Sequence, residues 1–193
     1  MDPRPIPLLS ADGCLVVTGD DLAAVAVDEA ERARTRLWVS MFLVGLSAAD
    51  DLRLSVRFVL DAVVRAHRRG VDVRVIIDDF RFGTARVSIN SPAAGYLADR
   101  GVPVRIWVGT PGRASHSKLM IGDETVVCGS GNWTPGGLDR NTELALRVRS
   151  QELASDLAGR FELGWAEAEP WIPREAPVRL VGATPAKPKA DLG

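Results

Sequence analysis

Side chains that could hold a phosphoryl group are concentrated between His116 and Glu143, where the chain reads HSKLMIGDETVVCGSGNWTPGGLDRNTE. Alternate residues of a strand project from the same face, so His116 and Lys118 point together, and so do Ser130 and Asn132. If two adjacent strands carry these pairs, an imidazole, an ammonium, a hydroxyl and an amide meet in one polar cluster. Such a cluster suits a phosphoryl group and its negative charge.

Lysine is rare in this chain, which makes Lys118 stand out. The chain has 24 Lys and Arg residues, yet lysine occurs only at positions 118, 187 and 189. Arginine fills the other basic positions, so a lysine here indicates a need for a compact point charge rather than a planar fork. Histidine is also scarce, because only His67 and His116 occur.

The spacing of these residues resembles the HxKxxxxD…GSxN signature of the phospholipase D superfamily. The resemblance extends roughly from residue 14 to residue 168, and the stretch between Asp123 and Gly129 is one residue shorter than is common in the family. That difference implies a tighter hairpin between the two strands. The matching positions are His116, Lys118, Asp123, Gly129, Ser130 and Asn132, followed by Asn141 and Glu143.

The resemblance implies a covalent route for cleaving phosphodiesters. His116 would attack phosphorus to form a phosphohistidine, which water or an alcohol then resolves. Glu143 would hydrogen-bond the other ring nitrogen, as the third member of a catalytic triad does. Lys118, Ser130 and Asn132 would hold the non-bridging oxygens as negative charge builds on them. This scheme requires neither a metal ion nor a cofactor.

Further residues are predicted to belong to the site. Asp123 completes the signature and is assigned to the catalytic set, although an Asp beside a glycine is also typical of a turn. Two glycines around Ser130 would let the backbone approach a phosphate without a Cβ in the way. Loop arginines would hold flanking phosphates. The predicted substrate-binding residues are Gly129, Gly131, Arg81, Arg86 and Arg113.

A single copy of the motif predicts a homodimer. The leaving oxygen needs a proton, and by resemblance to the family it would come from a second histidine in a second copy. This chain has one copy and no internal repeat, and His67 lacks the following x-Lys. A two-fold dimer would bring one His116 cluster from each subunit into a shared site.

Three hypotheses about the function remain open at this point. A nuclease resembling the small bacterial single-motif endonucleases of the superfamily fits the length and the loop arginines. The net charge of −1 counts against it, since nucleic-acid affinity must then come from a local basic patch. A phospholipid phosphodiesterase or transphosphatidylase is the alternative, although such relatives usually have two motifs and no membrane-surface helix is visible here. A non-catalytic binding scaffold is the third, and the presence of both His116 and Lys118 argues against it.

Composition predicts one globular domain. The chain has 193 residues, of which 46% are hydrophobic and 25% charged, enough to bury a full core. We expect Cys14 and Cys128 to be free thiols that serve as packing residues. Neither has the spacing of a zinc ligand. With no signal peptide or membrane-length apolar run visible, we expect a cytoplasmic enzyme without stable membrane association. We expect an N-terminal arm over residues 1–13, the phospholipase D-like domain over 14–175 and a flexible tail over 176–193.

The hydrophobic pattern predicts an α/β fold with a mixed, mostly parallel sheet flanked by helices on both faces. An apolar strand, an amphipathic helix and a second strand between residues 37 and 78 form a βαβ unit, whose crossover is right-handed. A hairpin turns near Gly122 and Asp123. Strands are predicted over 37–44, 71–78, 102–108 and 142–148, and helices from Asp20 or Asp21 to Arg34, over 48–69, over 91–101 and after Ser150.

Overall fold

One mixed sheet runs through the computed structural model, which describes residues 9–46, 55–80, 88–109 and 114–173. The elements in chain order are β1 (Gly13–Thr18), α1 (Gly19–Arg32), β2 (Arg36–Met41), α2 (Ser55–Arg68), β3 (Asp72–Asp78), α3 (Ser91–Ala98), β4 (Val104–Trp107), β5 (Lys118–Gly122), β6 (Thr125–Gly129), α4 (Pro135–Asp139), β7 (Leu144–Arg149), α5 (Gln151–Glu167) and β8 (Glu169–Pro170).

The strand order within the described residues is β1-β7-β6-β5-β2-β3-β4-β8. Between the named strands of the described ranges, only the β2–β3 and β3–β4 pairings are parallel, and the other pairings are antiparallel. The predicted mixed sheet is therefore confirmed, but its predicted mostly parallel character is wrong. The reason is that β5 and β6 are joined by a turn too short for a parallel crossover, and β7 returns along β6 in the opposite direction.

Helices cover both faces of the sheet, as predicted. On one face, α1, α2, α3 and α4 enclose a core to which β2 contributes Leu37, Val39 and Met41. On the other face, α5 places Ala154, Ala158 and Phe161 against Trp38 and the alternate residues of the central strands. Because successive side chains of a strand point to opposite faces, the nearly continuous apolar run of β2 fits a strand buried on both sides.

Some elements were not anticipated from the sequence. Among the described residues, strand β1 pairs only with β7 at the sheet edge, and most of its side chains are exposed. Its sequence lacks the polar–apolar alternation typical of a half-buried strand. Helix α4 has five residues and is held by the Thr134 hydroxyl, which accepts a hydrogen bond of 3.0 Å from Gly137 N. Helix α1 begins at Gly19 after Thr18, earlier than predicted. Across the described ranges, no helix combines the length and apolar character needed to span a bilayer.

Candidate active site

The residues predicted to cluster lie at one end of two paired strands. Strands β5 and β6 are antiparallel, so the start of β5 and the end of β6 meet at the same end of the sheet. Lys118 is the first residue of β5 and His116 lies two residues before it, while Ser130 directly follows β6 and Asn132 lies two residues further on. The fold thus brings the two sequence pairs to one edge of the molecule.

The His116 ring and the Lys118 ammonium are in direct contact. Lys118 Nζ lies 3.1 Å from Nδ1 and 3.0 Å from Nε2 of His116, and it donates a hydrogen bond of 3.2 Å to the His116 carbonyl oxygen. The imidazole is exposed, whereas Lys118 is half-buried. Burial lowers the pKa of Lys118, and the negative charge of Glu143 opposes that shift. An anion that reaches the ring therefore also meets a partly desolvated cation.

Phe42 forms the floor beneath this pair and was not singled out in the sequence. It follows β2 directly, and its ring centroid lies 4.5 Å from that of His116 and 5.0 Å from Lys118 Nζ. Its backbone N–H donates to the Ser117 carbonyl at 2.8 Å, which extends the pairing of β2 with β5. The aromatic face thus supports both the imidazole and the ammonium. Its only sequence signal is its place near the end of a buried apolar run.

Glu143 is held by neighbours other than the imidazole. The Ser130 hydroxyl donates a short hydrogen bond to Glu143 Oε2, and Asn141 Nδ2 donates to Oε1 at 3.1 Å. Ser130 Oγ also accepts from Leu144 N at 3.1 Å, which ties the end of β6 to the start of β7. The carboxylate predicted to bind His116 is instead bonded to Ser130 and Asn141 in this structure, because these residues lie on the same pair of strand ends.

Asn132 is oriented by the backbone after β2. Its Oδ1 accepts a hydrogen bond of 3.2 Å from Leu43 N, and the next residue, Trp133, donates from its own N–H to the Leu43 carbonyl at 3.0 Å. Since the amide oxygen accepts from Leu43 and the NH2 group has no partner among the described residues, the NH2 group can donate to a ligand. This orientation suits a group that binds phosphoryl oxygens.

The two glycines beside Ser130 lie close to other parts of the protein, and at Gly129 the neighbour is backbone that cannot easily move. A Cβ on Gly129 would collide with Leu144 and Ala145 of the neighbouring strand, and a Cβ on Gly131 would collide with the Leu22 side chain of α1. Neighbouring atoms of the protein itself therefore favour glycine at these positions. The sequence suggested only the approach of a substrate phosphate as the reason. The predicted substrate-binding residues Arg81, Arg86 and Arg113 lie outside the described residues.

Asp123 does not join the cluster. It lies in the turn at the far end of β5, with a φ of 48° that an Asp adopts more readily than most residues. Its carboxylate accepts hydrogen bonds from the backbone N–H groups of Arg34, Thr35 and Arg36 at 2.9, 3.0 and 2.9 Å, and from the Thr35 hydroxyl at 2.6 Å. Its assignment to the catalytic set is corrected accordingly. Asp123 fixes the start of β2 to the β5–β6 turn.

Replacing Asp123 with Ala should reduce the free energy of unfolding by about 1–3 kcal/mol, because several donors lose a charged acceptor. Partial burial raises the pKa of Asp123, but the hydrogen bonds from Thr35, Arg36 and Arg34 outweigh burial and hold that pKa below its usual value. The stabilisation is therefore present at neutral pH and is lost as the pH falls below the ordinary range of a carboxyl group. Urea unfolding at several pH values measures it.

Asp123→Asn is the matched control, since it keeps a side-chain oxygen and tolerates a positive φ. It should lose less stability than Asp123→Ala. An Ala variant with unchanged stability at neutral pH and lost catalysis would restore the catalytic assignment of this residue.

The family model described as "Cardiolipin synthase, PLD-like domain" matches residues 27–165. Among curated proteins, the human mitochondrial cardiolipin hydrolase is 30% identical over 110 residues, which are 56% of this chain and 41% of that protein. The chain therefore spans about two-fifths of the length of this relative.

Two solved structures share the fold over most of the chain. Nuc of Salmonella typhimurium, described as a phospholipase D family member, superposes with a TM-score of 0.66 at 25% identity and covers 82% of this chain and 99% of its own. NucT of Helicobacter pylori superposes with a TM-score of 0.63 at 16% identity, again covering 82% of this chain and 99% of its own. Together with the family match over more than half of the sequence, these similarities show that the chain belongs to the phospholipase D superfamily.

Proposed function

We propose that this chain is a phosphodiesterase in which His116 is the nucleophile. The observation that carries the proposal is the exposed imidazole with the Lys118 ammonium 3.0 and 3.1 Å from its two ring nitrogens. A phosphodiester that approaches the ring would meet a positive charge at the same point. An unprotonated imidazole is also a competent nucleophile near neutral pH.

The reaction would proceed in two displacements. In the first, a ring nitrogen of His116 forms a bond to phosphorus, the bond from phosphorus to the leaving oxygen breaks, and that oxygen takes a proton from an acid. In the second, water loses a proton to the same group, now acting as a base, and its oxygen attacks phosphorus while the phosphorus–nitrogen bond breaks. The phosphate product leaves and the free imidazole is regenerated.

The neighbouring side chains would stabilise the charge that builds on the phosphoryl oxygens. Lys118 supplies a cation whose partial burial strengthens its attraction to an anion. Asn132 supplies an NH2 group, since its oxygen is occupied by Leu43 N. Ser130 donates its one hydroxyl hydrogen to Glu143, which Asn141 also binds, so in this arrangement Ser130 fixes the end of β6 rather than donating to the phosphoryl oxygens.

A second subunit would supply the acid that the mechanism requires. The sequence has one histidine in the motif and only His67 elsewhere. His67 lies on α2, in its last turn. In a two-fold dimer, the partner subunit's His116 would protonate the leaving oxygen and later activate the water. Each site would then need two intact histidines.

An uncovered apolar area on the α5 side of the sheet supports such a dimer. Helix α5 packs over β5, β6, β2 and β4. On the same face, Val16, Leu144 and Leu146 are 62%, 58% and 39% exposed. In the register of the sheet, Val16 lies opposite Leu146, so these side chains form one area, which we call the β1–β7 face. It reaches the site because Leu144 follows Glu143, and exposed apolar patches mark interaction surfaces.

Leu144→Glu should therefore weaken dimerisation by about 10- to 100-fold and lower specific activity at dilute protein, because a buried unpaired carboxylate is costly. Sedimentation at several concentrations measures the dissociation constant. Phe58→Glu on α2 is the matched control, since Phe58 is also an exposed apolar side chain. A fully active wild-type monomer at assay concentration would contradict the shared-site proposal.

Nucleic acid is the proposed substrate class. The single motif resembles that of the small single-motif endonucleases of the superfamily, and the structure covers 99% of Nuc at 25% identity. A second candidate substrate is a phospholipid such as cardiolipin, because the chain is 30% identical over 110 residues to the human mitochondrial cardiolipin hydrolase. The two candidates use the same reaction at phosphorus and differ in what surrounds the scissile bond.

The substrate is tested with supercoiled plasmid, single-stranded DNA, RNA and cardiolipin vesicles, each in excess chelator. Cleavage of a nucleic acid that persists in chelator and is lost in His116→Ala supports the proposal. Hydrolysis of cardiolipin by a protein that leaves all three nucleic acids intact would overturn the proposed substrate class while retaining the phosphodiesterase. Activity that requires an added metal ion would overturn the metal-independent scheme.

A further inference from the structure

We infer that Asn90 is a positioning residue for His116 and Lys118, an inference that rests on the proposed role of His116 as nucleophile. Asn90 immediately precedes α3 and is 1% exposed. Its side chain makes no cap for that helix. The amide instead contacts the main chain just beyond β2 and at the end of β3.

The Asn90 amide bonds three backbone groups. Its Oδ1 accepts from Val44 N at 2.8 Å, and its Nδ2 donates to the carbonyl oxygens of Phe42 and Asp78 at 2.8 and 2.7 Å. The parallel register of β2 with β3 ends at the pair Met41 and Ile77. The amide therefore bridges the ends of β2 and β3, where the backbone pairing of these two strands stops. An asparagine suits this place because it offers one acceptor and two donors in a single plane.

One route from Asn90 to the site passes through Phe42. Asn90 holds the Phe42 carbonyl, while the Phe42 N–H bonds the Ser117 carbonyl at 2.8 Å. The Phe42 ring lies against His116 and beneath Lys118. A shift of the main chain at residue 42 would displace the surface on which both functional side chains rest.

The other route passes through Asp78. This carboxylate is 6% exposed, and its Oδ2 accepts from Ser115 N at 2.6 Å. Asn90 holds the carbonyl of the same residue. Ser115 and Ser117 flank His116 in sequence, so both neighbours of the nucleophile are tied to residues that the Asn90 amide fixes. Convergence of the two routes on His116 distinguishes Asn90 from an ordinary buried polar residue.

Asn90→Asp is the sharpest variant, because it keeps the volume and the acceptor for Val44 N but turns an oxygen toward two carbonyl groups. We expect kcat to fall by about 10- to 100-fold with KM changed less than about 2-fold, since misplacement by a fraction of an ångström affects the reacting geometry. Ser150→Ala is the control. Ser150 is a buried polar residue that caps α5, at 3.1 Å from Leu153 N, on the opposite face of the sheet.

Proton NMR supplies a readout that does not depend on turnover. The chain has two histidines, so the ring signals of His116 can be assigned with a His67 variant. In Asn90→Asp, the His116 signals should shift as the ring moves relative to Phe42, whereas the His67 signals of the same variant should not shift. In Ser150→Ala, the His116 signals should also stay unchanged. If no substrate is cleaved by the wild type, the proposed function fails, but the NMR comparison still decides the placement of His116.

Unmoved His116 signals in a folded Asn90→Asp protein would overturn the inference, whether or not kcat falls. If that variant does not fold, Asn90→Ser takes its place, because a single hydroxyl cannot bond Val44 N and the carbonyl groups of Phe42 and Asp78 together, and it adds no charge. Shifted His116 signals and a lowered kcat in Asn90→Ser support the inference, and unchanged signals overturn it.

Discussion

His116→Ala is expected to lower kcat for phosphodiester cleavage by about 10⁴-fold or more, because loss of a nucleophile removes the covalent route altogether. In the proposed dimer the same substitution also removes the acid of the shared site. Single-turnover cleavage of a labelled substrate measures the loss. His67→Ala is the matched control, since it removes the only other histidine of the chain and should retain activity within about 2-fold.

The same variant tests whether two subunits share one site. When wild-type protein and His116→Ala protein exchange subunits, activity should fall with the square of the wild-type fraction, because a mixed dimer holds only one of two required imidazoles. A linear decrease would indicate that each subunit works alone. His116→Ala protein that retains cleavage would remove this imidazole from the mechanism.

Lys118→Met should lower kcat by about 10²- to 10³-fold, the usual cost of removing one group that stabilises transition-state charge. Methionine keeps most of the aliphatic length of the side chain but removes the ammonium, which lies over the Phe42 ring and 3.0 Å from His116 Nε2. Steady-state kinetics and the thermal unfolding midpoint of the same preparation separate catalysis from folding.

Arg149→Met is the control for Lys118→Met. Arg149 is an exposed cation that forms an ion pair of 2.6 Å with Glu124. It is the last residue of β7, at the end of that strand away from the site. It should leave kcat unchanged, since exposed ion pairs contribute little. Equal losses in the two variants would indicate a general effect of charge, and no loss in Lys118→Met would remove the ammonium from the proposed transition-state contacts.

The sequence predicted the parts of the fold that depend on local pattern. The apolar run of β2, the hairpin around Gly122 and Asp123, and the Ser150 cap of α5 are each specified by residues close together in the chain. Strand direction depends on connections between distant segments. The parallel pattern around α2 was therefore extended wrongly to the whole sheet, and the edge strand β1 was missed.

The same distinction applies to the site. The proximity of His116 and Lys118 is predicted from their spacing, and the structure has them in contact, although His116 lies two residues before β5 begins. The partners of Glu143, the distant turn of Asp123 and the amide of Asn90 depend on contacts between residues far apart in sequence. Asn90 reaches Val44 and Phe42 across more than forty residues. No short pattern marks such a residue.

The stereochemical outcome at phosphorus tests the covalent mechanism most directly. A cleavable substrate with one phosphorothioate linkage of defined configuration would be hydrolysed in isotopically labelled water, and the configuration of the product determined. Two successive in-line displacements, first by His116 and then by water, invert phosphorus twice, so we predict net retention. Net inversion would mean that water attacks the substrate in a single step, and it would contradict a phosphohistidine at His116.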